Sequence, residues 1–207
     1  MKLIEPSVEL LTQFEGGNVM KFIEKCGRVC YRSTAKEFEG VTEKFIRNLI
    51  LRGHESVLEH FSCTFKIICD RGVMAELTRH RVASFSVEST RYCDYSADKF
   101  SGELTFINPH FETISNARQA MFENAMVDAE EKYLRLRNGG TKPEDARAVL
   151  PFSLATTIIM TANLREWRHV LKLRTSSKAH PQMRQVVNMI LDILKEKLPV
   201  VFEDIGQ

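Results

Sequence analysis

Residues 61–70 read FSCTFKIICD, and this stretch decides the fold class. Phe61, Cys63, Phe65 and Ile67 alternate with Ser62, Thr64 and Lys66. A period of two puts the apolar set on one face of a pleated backbone, so the stretch predicts a half-buried strand. The residues before it point to helices. In NVMKFIEKCGRVCY (18–31) Val19, Phe22, Ile23, Cys26, Val29 and Cys30 recur at helical spacing, with Asn18 as the expected cap. VTEKFIRNLILRG (41–53) repeats that spacing through Val41, Phe45, Leu49 and Ile50 and stops at Gly53. Strands set among helices without regular βαβ alternation predict an α+β fold.

Working outward, MKLIEPSVELL at the start reads as an edge strand with Pro6 inside it. RGVMAELTRHRVAS (71–84) predicts a helix to about Arg81, handing over to an extended segment in which Ser84, Ser86 and Glu88 share a side. Phe100–Asn108 predicts a short strand, and Pro109–Asn138 a long helix stopped by Gly139 and Gly140. Thr141 and Glu144 have the spacing of a capping box around Pro143, in a short helix closed by Pro151. FSLATTIIMTAN (152–163) is rich in β-branched residues and reads as a strand or a buried helix. LREWRHVLKLRTS and PQMRQVVNMILDILKEKL are closing helices.

With 207 residues, 43% hydrophobic and 27% charged, the composition suits one soluble globular domain. No apolar run approaches membrane length, and Glu5, Glu9 and Glu15 interrupt any secretory pattern, so a cytoplasmic protein away from membranes is expected. A net charge of +2 argues against a nucleic-acid partner. Five cysteines without a CxxC pair indicate neither a disulfide framework nor a zinc ribbon.

Several positions look chemical. Arg174 occupies the next place on the apolar stripe of Trp167, Val170 and Leu171, so it is aimed inward and needs a carboxylate or an anion. Arg165, Arg168, His169 and Lys172 share the opposite edge, which reads as a solvated basic face or as an anion contact. Arg147 lies beside the stripe of Ala146, Val149 and Leu150. GHESVLEH (53–60) lacks the i, i+4 histidine spacing of a helical zinc site and suits polar contacts to a cofactor. Cys93 follows Arg91, whose charge favours a thiolate, but no general base is near in sequence. RHRVASFSVESTRY (79–92) gathers three arginines and several hydroxyls, a donor set suited to phosphate.

RHR at 79–81, followed by seven residues and Ser89, resembles the signature of the flavin-dependent thymidylate synthases. GHESVLEH, ARAVLP (146–151), TANLREW (161–167) and LKLRTSSKAHPQMR (171–184) stand in that family's order, over about residues 20–200. The resemblance implies a single α+β domain over 1–207, with a small, mainly antiparallel sheet packed by long helices. It implies a homotetramer whose active sites are shared between subunits. The implied reaction converts dUMP to dTMP, with the carbon from methylenetetrahydrofolate and the reducing equivalents from NADPH through FAD. By the same resemblance His54, Ser56, Arg79, His80, Arg81, Val87, Glu88, Asn163, Arg165 and His169 contact FAD. Glu76, Arg79, Val87, Glu88, Ser89, Thr90, Arg91, Arg147 and Arg174 contact dUMP, and no metal is involved. Arg174 is then the catalytic cation, stabilising negative charge on the uracil ring without acting as a base. Three positions depart from the family's usual residues: Ser86 for Asn, Val87 for Glu and Glu76 for Gln. They leave open a flavin- and nucleotide-binding homologue with lost or altered synthase activity.

Overall fold

The computed structural model describes residues 1–30, 32–33, 40–97, 102–109 and 115–206. The stretch that decided the class is a strand, β3 (Ser62–Asp70), with Cys63, Phe65, Ile67 and Cys69 buried in alternation. Burial pushes the Cys63 thiol up to about 12 and raises that of Cys69 as well. The second apolar stretch is also a strand, β6 (Ala155–Asn163), burying Thr156, Ile158, Met160 and Ala162. β3 and β6 run antiparallel: Leu164 donates to the Phe61 carbonyl at one end and Arg71 to the Phe152 carbonyl at the other.

The N-terminal stretch expected as one edge strand is two. β1 (Lys2–Ile4) ends before buried Pro6, and β2 (Ser7–Leu10) begins after it in a different sheet. Proline has no N–H for a ladder, so the break falls there. β1 pairs in parallel with β5 (Thr105–Ile107), while a four-stranded sheet has the order β2-β3-β6-β4, where β4 is Ala83–Val87.

The helices are α1 (Gly16–Val29), α2 (Val41–Leu51), α3 (Arg71–Leu77), α4 (Asn116–Asn138), α5 (Pro143–Ala146), α6 (Leu164–Arg174), α7 (Pro181–Lys197) and α8 (Pro199–Phe202). Glu55–His60 and Arg147–Val149 form 3₁₀ turns. Two expected caps differ. Glu15 stands at the N-terminal cap position of α1 with no side-chain bond to the backbone, and Asn18 instead donates its side-chain amide to the Glu15 carboxylate. Lys142 stands at the cap of α5 with no side-chain bond, so Thr141 and Glu144 form no capping box; Glu144 is engaged by Arg91. α3 ends at Leu77, earlier than expected, which leaves Arg79–Arg81 in the connection to β4. Residues 100–101 and 110–114, the starts of the expected β5 and α4 segments, lie outside the described residues.

The chain divides into two compact units. One comprises Met1–Ser7, Ile67–Arg79 and Ser86–Ile158, and its core gathers Tyr95, Leu104, Phe106, Met126, Tyr133, Ala146 and Leu154. The other comprises Val8–Lys66, His80–Phe85 and Ile159–Gln207. There α6 packs on α7 and on the 55–60 turn, and α1 on α2. Trp167 is fully buried, stands edge-on to Phe65 and donates its indole N–H to the Cys63 carbonyl at 3.1 Å. Burying a side chain of that size stabilises by roughly 3 kcal/mol or more. A Cβ on Gly27 of α1 would come within 3.0 Å of the Phe45 ring of α2, so the small residue sets the approach of these helices.

Candidate active site

Each unit carries its own group of polar residues. In the second unit, β6 runs directly into α6, and Asn163 at the junction caps the helix by accepting from the Glu166 N–H at 2.8 Å. This fixes the first turns of α6 beside an open cavity of about 490 Å³, whose wall includes Glu55, Glu59, Asn163, Arg165, His169 and Lys172. Arg165 is exposed and paired with Glu59 at 2.5 Å; His169 and Lys172 are exposed as well. His54 and Ser56 are exposed at the start of the 55–60 turn, outside that wall.

His80 is 5% exposed despite its polar ring. Its Nε2 accepts from Arg174 Nε at 3.1 Å, while its Nδ1 lies 3.6 Å from a Glu166 carboxylate oxygen. Burial, then the charge of Arg174, then His169 lower its pKa to about 4, so the ring is neutral at physiological pH. A neutral ring that accepts from Arg174 at Nε2 carries its proton on Nδ1, facing Glu166. His80, Glu166 and His169 are close enough to surround a cation. Both nitrogens of His80 face a charged group, Nε2 the half-buried Arg174 guanidinium by a hydrogen bond and Nδ1 the Glu166 carboxylate, while the His169 ring stands edge-on at 5.9 Å.

α6 also corrects the reading of its basic edge. Arg168 is 1% exposed and is the buried arginine of the helix. It grips Asp204 through both oxygens at 2.7 and 2.8 Å and Glu55 at 3.1 Å, and it donates to the Val201 carbonyl. Burial would push its pKa down, but Asp204 and Glu55 outweigh that effect and raise it. The missed signal is a second stripe, Leu164–Arg168–Leu171, whose two leucines are buried.

In the first unit the residues following β4 form a tight turn. The N–H groups of Tyr92 and Cys93 both donate to the Ser89 carbonyl, and the Ser89 hydroxyl accepts from the Arg91 N–H. Thr90 is buried, and Arg147 reaches its hydroxyl at 3.4 Å. Arg147 is otherwise exposed and does not graze the core. Arg91 is exposed and paired with Glu144 at 2.8 Å. The Ser89 and Thr90 hydroxyls with the Arg91 and Arg147 guanidinium groups are side-chain donors suited to an anion. Glu76 on α3 is half-buried, and Arg79 beyond it is exposed. In β4, Ser84 and Ser86 are exposed while Ala83, Phe85 and Val87 are half-buried. Glu88 is the first residue past the strand. Sequence reasoning did not find Glu166 or Tyr95, which hold His80 and Glu88, and gave Glu144 a capping role where it instead holds Arg91.

Residues 10–200 match the family described as Thymidylate synthase complementing protein. The chain is 35% identical to the flavin-dependent thymidylate synthase of Geobacter sulfurreducens, over 86% of this chain and 78% of that one. It is 31% identical to that of Nitratidesulfovibrio vulgaris, over 100% and 89%. Among solved structures, the UMP/dUMP methylase PolB from Streptomyces cacaoi bound with 5-Br dUMP superposes with a TM-score of 0.81 at 26% identity. That match covers 98% of this chain and 96% of the other.

Proposed function

This chain belongs to the thymidylate synthase complementing protein family, and from that membership we propose that it is a flavin-dependent enzyme methylating C5 of dUMP to give dTMP. The carbon comes from methylenetetrahydrofolate and the reducing equivalents from NADPH. The observation that carries this reading is the held guanidinium of Arg174, fastened half-buried by a neutral histidine. C5 of uracil is a weak nucleophile. A fixed cation at the pyrimidine stabilises the negative charge that makes it stronger, and preorganisation avoids the cost of reorienting solvent in the transition state. His80 contributes by accepting from Arg174 without adding a second positive charge.

The donor set fits FAD. Arg165 and Lys172 offer cationic groups, and His169 a ring nitrogen, for a pyrophosphate along the cavity, and Asn163 stands in its wall at the helix N-terminus. His54, Ser56, Arg79, His80, Arg81 and Val87 complete the proposed contacts. Bound flavin supplies hydride chemistry. For dUMP, Ser89, Thr90 and Arg91 would hold the phosphate together with Arg79 and Arg147, and Arg174 the base; Glu76 and Val87 border the nucleotide. The assembly is proposed as a homotetramer with shared active sites. Light scattering reading four chains of 23.8 kDa checks it.

The experiment is tritium release from 5-labelled dUMP with NADPH and methylenetetrahydrofolate. Release by the wild type, and loss of release with retained flavin absorption in Arg174→Ala, is expected. Wild type that binds FAD without release would indicate a homologue with lost synthase activity, and unchanged release in Arg174→Ala would remove Arg174 from its role. The likeness to a UMP/dUMP methylase favours a second reading, in which UMP is also accepted. Running both nucleotides in the same assay separates the two.

A further inference from the structure

We infer that Glu88 is a positioning residue for the nucleotide-phosphate turn, with its carboxylate fastened by Tyr95 and not by the ligand it serves. The inference rests on the proposed dUMP site. Glu88 is tied down at every polar group it has. Its N–H donates to the Thr157 carbonyl at 2.9 Å, which extends the β4 pairing by one residue. Its carbonyl accepts from Arg71 Nη2 at 3.3 Å. Its carboxylate accepts from the Tyr95 hydroxyl at 2.7 Å.

Tyr95 is itself well placed to act as an anchor. It is 6% exposed, its N–H donates to the Tyr133 hydroxyl, and the two rings meet edge to face with centroids 6.0 Å apart. Burial, then Glu88, raise its pKa, so it stays a hydroxyl donor. Glu88 and Tyr95 share the wall of a cavity with Lys2, Thr105 and Thr157. Among the described residues that wall includes none of Ser89, Thr90, Arg91 and Arg147. The carboxylate is thus engaged by Tyr95 and not by the anion-binding group, and its effect passes through the backbone to Ser89, where the turn begins. A strand flips its faces at each residue, which explains how an acid one place along from the family's usual position takes up a supporting role.

Full-length, FAD-loaded protein tests this by calorimetric titration with dUMP and by steady-state kinetics with dUMP varied. Glu88→Ala is expected to weaken dUMP binding on the order of tenfold, the range for one hydrogen bond to a charged group. KM for dUMP should rise by a similar factor, and kcat should fall much less. Glu88→Gln should recover most of the loss, because its amide carbonyl can still accept from Tyr95. Tyr95→Phe should weaken dUMP binding in the same way, and the double variant Glu88→Ala with Tyr95→Phe should be no worse than Glu88→Ala alone. Glu88→Gln as damaging as Glu88→Ala, or a loss of kcat at unchanged KM, would overturn the inference. If Glu88→Ala does not fold, the near-isosteric Glu88→Gln and Tyr95→Phe decide it by the same criteria. Wild type that binds no dUMP sinks the underlying site reading, whereas wild type that binds it equally with Tyr95→Phe and Glu88→Ala sinks the inference alone.

Discussion

Arg168 and Arg174 lie on one helix and do different work. Arg168 is sealed in by Asp204 and Glu55, so removing its side chain leaves these two carboxylates with the exposed Lys172, a looser partner at 3.4 and 3.8 Å, and opens a buried space. Arg168→Ala is expected to cost about 3 kcal/mol of stability, read as a lowered urea midpoint. Arg165→Ala, at an exposed ion pair, should leave that midpoint almost unmoved while weakening flavin retention. His80 makes a pH-dependent contribution. Its pKa in the fold is lowered from an ordinary 6.5 to about 4, so the unfolded chain takes up a proton in that window and the folded chain does not. This contribution is fully present above pH 6.5 and is lost as pH falls toward 4. His80→Gln should flatten the fall in urea midpoint across that window; an equally steep fall would mean that other groups cause it.

At the scale of elements, alternation and periodicity were legible. β3 stands where its alternation puts it, because a buried face imposes a period of two directly on composition, while the β-branched stretch that leaves strand and buried helix open is the strand β6. Caps and pairings were less legible, since Glu15, Lys142 and the broken β1–β2 stretch depend on which neighbour a backbone group meets. The same distinction separates Arg168 from Arg174: α6 packs on both α7 and the 55–60 turn, so its buried arc is wider than the apolar stripe of its sequence. α1 offers a paired test. A Cβ on Gly16 would lie 1.9 Å from the Lys197 carbonyl oxygen, while one on Gly17 would meet nothing within 4 Å. Gly16→Ala should therefore cost about 2 kcal/mol or more by forcing backbone to move, whereas Gly17→Ala should be neutral or stabilising. Equal melting temperatures for the two variants would contradict that packing.

For the whole molecule, the family was legible from ordered blocks, each of which keeps its own local chemistry. The supports of those blocks were not, because Glu166, Glu144 and Tyr95 act on residues brought to them by the fold or by a turn. The burial of the β3 cysteines has a practical side. Cys30 is exposed and Cys26 and Cys93 are partly so, while Cys63 and Cys69 are shut in, with thiols reluctant to ionise. A colorimetric thiol reagent at pH 8 should therefore titrate no more than the first three quickly and all five only in denaturant. Five fast thiols in native buffer would contradict the buried pair. The slow pair is a label-free reporter already written into the chain: its rate of alkylation measures how often the central strand comes loose, and flavin or nucleotide that binds the native state should slow it.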